Sequence, residues 1–242
     1  MKKKMIALLL CGTMLFAPVT TYASSSSAMD ALKEAYKELE KSTKNSKSKT
    51  SKETMTDHFE VDLGAGNYVA GKDIPVGTYN FTATSGTGNV NSSNLYNGGI
   101  NAIMGTPAND YTEETYNNVS LDDDVVLSVN GNLVLHIVSE NASTSTVQAR
   151  VVPEDSQTID LTSGHYTAGT DIPVGSYNVV ATSGCGNVSS DNLYDGGINE
   201  IMGVAESAPA DLSIESFSNL VLEEGTALSV DGVSVQLVPV GE

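Results

Sequence analysis

Few groups in this chain can do chemistry. His58, His136 and His165 are its only histidines, and Cys185 is the only cysteine after Cys11. An enzyme needs reactive groups brought together with tuned pKa values. Most of the chain is a tandem repeat, and these residues are not part of what repeats: His136 aligns with Gln236, His165 with Asn67 and Cys185 with Thr87. "SGTG" and "SGCG" are rich in glycine, but a phosphate-binding loop also needs a following helix and usually a lysine, and neither is there. No Cys/His cluster has the spacing of a zinc site. The reading is a protein without catalytic residues and without a bound metal.

The polar residues that do repeat are the better lead. Asp73 and Asp171, Asn89 and Asn187, Asn94 and Asn192, Asn101 and Asn199, and Tyr96 and Tyr194 occupy matching positions in the two copies. Carboxylate, amide and backbone oxygens are the donors Ca2+ takes. Amides beside an aromatic face suit a sugar. Equally, Asn, Asp and Gly hold tight turns and satisfy loop backbone, and this accounts for the same residues with no ligand. Asp122-Asp123-Asp124 also suggests a cation, but its counterpart is Glu223-Glu224-Gly225, the composition of an exposed turn before a strand.

The elements that carry these residues can be read from the repeat. Between Gly66 and Gly105, 29 of 40 positions are identical in the copy 98 residues later. The match resumes with "YNNVSL" against "FSNLVL" and closes with "LSVNGNLVLHIV" against "LSVDGVSVQLV". Tyr79, Phe81 and Ala83 alternate with polar residues, as on a half-buried strand. Leu127 with Val129, and Leu133 with Leu135 and Ile137, follow the same period; Val233, Val235 and Leu237 match them in the second copy. Asn130-Gly131 and Asp231-Gly232 sit between strands and predict a two-residue type I′ turn. "DIPVGTY" predicts a turn with Gly77 left-handed, after which residues 67–70 pair back onto 78–84. Residues 100–104 suggest a single helical turn. In "NLYNGGINAIMG" and its copy "NLYDGGINEIMG", Gly98-Gly99 turns the chain and Leu95, Ile100, Ile103 and Met104 face the core. The fold class is all-β: two tandem small sandwich or barrel-like domains at 59–138 and 159–242, joined by a linker over 139–158 in which 147–152 forms an extra strand.

The pattern Y-x-A-G-x-D-I-P-V-G-x-Y, then S-G-x-G-N-V and G-G-I-N-x-I-M-G, resembles a repeat module of exported proteins and lipoproteins of Gram-positive, especially clostridial, bacteria. The resemblance spans nearly all of both copies. It implies a β-rich extracytoplasmic module and carries no assigned activity.

The N-terminal part agrees with export. Lys2 to Lys4 precede an apolar run from Met5 to Phe16, and Thr21-Tyr22-Ala23 suits cleavage after Ala23. Leu8-Leu9-Leu10-Cys11 is a poor lipoprotein site, because a small residue should precede the cysteine. Residues 24–58 read as a short helix near Met29 to Lys41 and a Lys/Ser/Thr-rich flexible linker. Beyond residue 58 only Lys72 and Arg150 stand against 24 Asp and Glu, a balance that repels phosphate backbones and excludes a nucleic-acid partner. No later stretch has the ~20 apolar residues of a membrane helix. Cys185 has no internal partner once the leader is removed. The expectation is a secreted or surface-held monomer whose partner is a cell-wall polymer, a glycan or a protein. It is a binding or adhesion protein, with a spacer role or an acidic-cleft hydrolase as the alternatives.

Overall fold

The computed structural model describes residues 57–209 and 211–241. The predicted leader, helix and linker before residue 57 lie outside the described residues. Those described are all-β, and they contain no α-helix.

The first module has strands β1 (Asp57–Leu63), β2 (Gly66–Val69), β3 (Gly77–Ser85), β4 (Thr87–Ser92), β5 (Asn101–Gly105), β6 (Thr115–Leu121), β7 (Val126–Val129) and β8 (Val134–Ala142). They form two sheets, β1-β8-β3-β6 and β2-β7-β4-β5. The alternation read from the sequence sets their inner faces: Tyr79, Phe81, Ala83, Leu127, Val129, Leu135 and Ile137 share one buried core. The second module repeats the plan with β9 (Ile159–Leu161), β10 (Gly164–Thr167), β11 (Gly175–Ser190), β12 (Asn199–Gly203), β13 (Ser216–Leu222) and β14 (Ala227–Pro239). Its core holds Val179, Phe217, Leu220, Val235 and Leu237. Between the modules a 3-10 turn spans Thr144–Thr146, and 147–152 runs without strand pairing.

Several local expectations are overturned. Asn130-Gly131 is not a hairpin turn. β7 pairs with β2 and β4, whereas β8 pairs with β1 and β3, so the chain changes sheets there. Only Gly131 of the two has positive φ, at 74°, and a type I′ turn needs both. In the second copy the strand runs straight through Asp231-Gly232 as β14. Gly86 makes the facing corner between β3 and β4 with φ of 70°. The two corners nest: a Cβ on Gly88 would lie 1.7 Å from the Asn130 carbonyl oxygen, and one on Gly186 would lie 1.8 Å from that of Asp231. The repeated glycines are there so that backbone can approach backbone.

Residues 67–70 pair with β7, not with 78–84, because the turn at 70–74 sends β3 into the opposite sheet. In that turn Gly71, with φ of 88°, takes the left-handed position assigned to Gly77. Where the sequence suggests a helical turn over 100–104, strand β5 runs over Asn101–Gly105, paired with β4 from Asn91↔Asn101 to Thr87↔Gly105. That register points Met104 into the core and Ile103 outward, so Ile103, like Leu95, is exposed rather than buried.

The tyrosines that flank the turn before β3 and β11 hydrogen-bond within their own modules. Tyr68, Tyr79, Tyr166 and Tyr177 each donate to the carbonyl four residues earlier, at Gly64, Pro75, Thr162 and Pro173. Burial pushes the Tyr68 phenol up to about 12.

Candidate functional site

The hairpin of β4 and β5, and its copy made by the end of β11 with β12, gathers some of the predicted residues. Because β4 and β5 are antiparallel and alternate, Val90 and Met104 face inward while Asn89, Asn101 and Ile103 face outward. Cross-strand pairing sets Asn89 beside Ile103 and Asn91 beside Asn101. The Asn89 amide donates to Asn91 Oδ1 at 3.3 Å. In the second module Asn187 faces Ile201 and Ser189 faces Asn199. At the hairpin tips Tyr96 is 99% exposed and Tyr194 is 92% exposed. Leu95, Ile103, Leu193 and Ile201 are exposed too. Each module therefore carries an outward platform of amides and an isoleucine, with a tyrosine and a leucine at its tip.

The other predicted residues are not brought to this platform. Asn94 and Asn192 lie beneath the tips and hold them in place. Asn94 Nδ2 donates to the Asn97 carbonyl at 3.2 Å and to Ser120 at 2.8 Å; Asn192 does the same to Asp195 at 3.3 Å and Val221 at 2.9 Å. The Oδ1 atoms of both are buried without a hydrogen-bond partner.

Asp73 and Asp171 close the turn before β3 and β11. Each accepts the backbone N–H four residues earlier, Val69 at 2.8 Å and Thr167 at 2.9 Å. Asp73 has a second role that its copy lacks. Arg150, from the segment between the modules, grips it with Nε on Oδ1 at 2.8 Å and Nη2 on Oδ2 at 3.0 Å. These side chains are 8% and 3% exposed. Nη1 of the same arginine reaches Ser176 Oγ and the Gly241 carbonyl, both at 3.3 Å. The fork thus ties the first module to the second, as bidentate guanidinium geometry allows. Asp171 is exposed and has no such partner among the described residues, so the two aspartates are not equivalent sites.

One cluster could not be read from motif spacing. On the outer face of β1 and β8, His58 Nδ1 lies 2.9 Å from Glu140, and His136 Nδ1 lies 2.7 Å from Asp62. Glu60 Oε2 sits between the two rings, 3.6 Å from His58 Nε2 and 4.0 Å from His136 Nε2. The Glu140 hydrogen bond comes first among the causes that raise the His58 pKa. The signal was the alternation His58-x-Glu60-x-Asp62, but its partners are contributed by a strand 74 and 82 residues away. Among the described residues no three His, Cys, Asp or Glu side chains are placed to hold a metal ion.

A last group belongs to the module junction. Glu200, which replaces Ala102 of the first copy, is 8% exposed. Its two oxygens accept the Gly131 N–H of the first module at 3.1 and 3.2 Å. Burial pushes its carboxyl up to about 7, against the lowering effect of that N–H.

No known protein family and no curated protein matches the chain. Among solved structures, the chain is similar to a cupin 2 conserved barrel domain protein from Leptotrichia buccalis at a TM-score of 0.22 and 12% identity, covering 79% of this chain and 92% of that one. No helix among the described residues is long and apolar enough to cross a membrane.

Proposed function

We propose that this is an exported, non-catalytic binding protein of the cell envelope that presents two copies of one platform. The observation that carries the reading is the matched exposure of the two hairpins. Leu95, Tyr96, Asn101 and Ile103, and Leu193, Tyr194, Asn199 and Ile201, are on the surface at equivalent positions, while the glycines, the first asparagine, the first isoleucine and the methionine of each hairpin string build the turn and the core. Exposed tyrosine and aliphatic groups beside rows of amides suit a polymer that offers both hydroxyl groups and apolar faces, such as a cell-wall glycan. Two weak sites on one chain gain avidity on a repeating polymer. The leader sequence and the Lys-rich segment before residue 57 support export and contact with anionic wall polymers.

The test is retention on insoluble wall polysaccharide, peptidoglycan and immobilised matrix proteins. The chain should be retained on one of them. Tyr96→Ala or Tyr194→Ala alone should weaken retention, and the double variant should abolish it, with melting temperatures unchanged. Equal retention of the double variant and the parent would sink the platform reading. A spacer that binds nothing would be retained on none of the three supports.

A further inference from the structure

The two modules meet through an edge-to-edge contact. β2 of the first lies parallel to β13 of the second, joined at Gly66↔Ser218. Ser218 N–H donates to the Ala65 carbonyl at 3.0 Å. Asn219 Nδ2 donates to the Asn67 carbonyl at 2.9 Å, and Asn67 Nδ2 donates to the Gly197 carbonyl at 3.0 Å. Glycine is needed at position 66, since a Cβ there would lie 2.7 Å from the Ser218 Cβ and carbonyl oxygen.

Because the modules are copies, each half of this junction exists a second time, unused among the described residues. The counterpart of β13 is β6, which ends its sheet. Residues 115–118 are all exposed, whereas their counterparts Phe217, Ser218 and Asn219 are buried. Asn118 nonetheless keeps the conformation of Asn219, with φ of 61° against 58°. Both are held by an asparagine on the neighbouring strand, Asn80 at 3.1 Å and Asn178 at 3.0 Å. A non-glycine residue held left-handed is strained, and at position 219 that conformation is what aims the amide across the junction.

The counterpart of β2 is β10, also at a sheet edge. It retains glycine at Gly164, where the three nearest neighbours of an added Cβ would all be atoms of its own module's Tyr166. His165 replaces Asn67 in the same setting. Ser128 Oγ donates to Asn67 Oδ1 at 2.7 Å, and Ser229 Oγ lies 3.1 Å from His165 Nδ1. In the tautomer with hydrogen on Nε2, Nδ1 accepts that hydroxyl and the Nε2–H is the counterpart of the Asn67 amide hydrogen.

We propose that the protein self-associates head to tail, the β10 edge of one copy docking on the β6 edge of the next and repeating the intrachain junction between chains. The contact is heterologous, so it extends into filaments or closes into rings. Two substitutions make it weaker than the intrachain junction. Ala102 stands where Glu200 reaches across, and Ser163 Oγ takes the Gly232 N–H at 3.0 Å, the counterpart of the N–H that Glu200 accepts. The Gly232 N–H is thus satisfied at the free edge, and the copies come apart without cost at that group. The platforms stay clear: Tyr194 is 92% exposed although Gly197, three residues on, is inside the junction. This assembly replaces the monomer expected from the sequence. It would array the platforms along a polymer.

The experiment is sedimentation velocity on the full processed chain from low micromolar to near-millimolar concentration. It is run in about 0.5 M salt to screen the acidic body. The parent should grow past the dimer as concentration rises. Asn117→Lys, which places a charge on the β6 edge, should remain monomeric with an unchanged melt, and Gly164→Leu, which crowds the β10 edge and presses on the Tyr166 ring, should remain monomeric while circular dichroism shows it folded. Asn118→Gly keeps the positive φ and removes the amide, and should weaken association about five- to tenfold. Mixing Asn117→Lys with Gly164→Leu should restore one free edge of each kind and give a one-to-one dimer that grows no further. A parent that stays monomeric throughout, edge variants that assemble like the parent, or a mixture that stays monomeric would each overturn the proposal.

Discussion

The most consequential single residue is Arg150, one of two cations beyond residue 58. It neutralises a carboxylate that the fold has already buried to close the turn before β3. Arg150→Ala would take the guanidinium away from a carboxyl that is only 3% exposed, a loss of about 3–5 kcal/mol. Calorimetry should show a melting temperature lower by ~10 °C or more. Arg150→Lys should recover only part, because a point charge cannot copy the fork. A melt within a degree of the parent would show that the grip on Asp73 contributes little. His58 is a second residue-scale case. Its raised pKa means that it binds its proton more tightly folded than unfolded. Any stabilisation is present below the ordinary value of 6.5 and fades as pH rises through the folded one. In an NMR titration Glu140→Gln should bring the His58 midpoint down. No movement would mean that the carboxylate is not the cause.

At the scale of elements, the corners decide the architecture. The first module divides its strands between two sheets, and in both modules the chain bends at glycines that lie against facing backbone. A methyl group at position 88 has no room beside the Asn130 carbonyl. Gly88→Ala should therefore cost at least about 3 kcal/mol, seen as a fall of roughly 6–12 °C in Tm. Gly64→Ala is the control, since nothing lies within 4 Å of its added Cβ. Equal melts for the two variants would refute the close approach. These glycines were visible in the sequence as repeated punctuation. Their geometry was not, because an Asn-Gly between two apolar strands encodes a tight hairpin locally. Only the pairing of β7 and β8 with different strands turns it into a corner.

At the scale of the whole molecule, the junction couples stability to pH. Glu200 is held near neutrality by burial, with a pKa raised from 4.5 to about 7. A raised carboxyl pKa favours the folded state at low pH. The penalty is absent below about 4.5 and grows as pH rises through about 7, to roughly 3 kcal/mol for a shift of this size. Glu200→Gln keeps an acceptor for the Gly131 N–H and removes the charge. It should raise Tm at pH 8 and flatten its pH dependence between 5 and 8; an unchanged profile would place the titration elsewhere. The fragment from Ser156 to Glu242 contains every strand of the second module and should melt cooperatively with a β-rich spectrum. Its midpoint should fall below that of the whole chain, because Ala65 packs into the second core and β2 covers β13. An unfolded fragment beside a single sharp melt for the whole body would mean that the modules share one core.

The sequence by itself determined the all-β class, the duplication, the inward faces of the strands and the positions of the glycines. These follow from side-chain alternation and local conformational preference, which are properties of short segments. It also identified the hairpin string and the repeated polar residues, but gave all of them equal standing. Tertiary structure separated them. Asn89 and Asn101 share a face with Ile103 because cross-strand register places them there, whereas Asn94 turns under the tip and Asp73 goes to an arginine 77 residues away. The exposure of Ile103, the His58 to Asp62 ladder and the contact of β2 with β13 depend on which strands become neighbours. That choice is made by burial summed over the whole chain, and identical repeats cannot reveal which of their matching edges is covered.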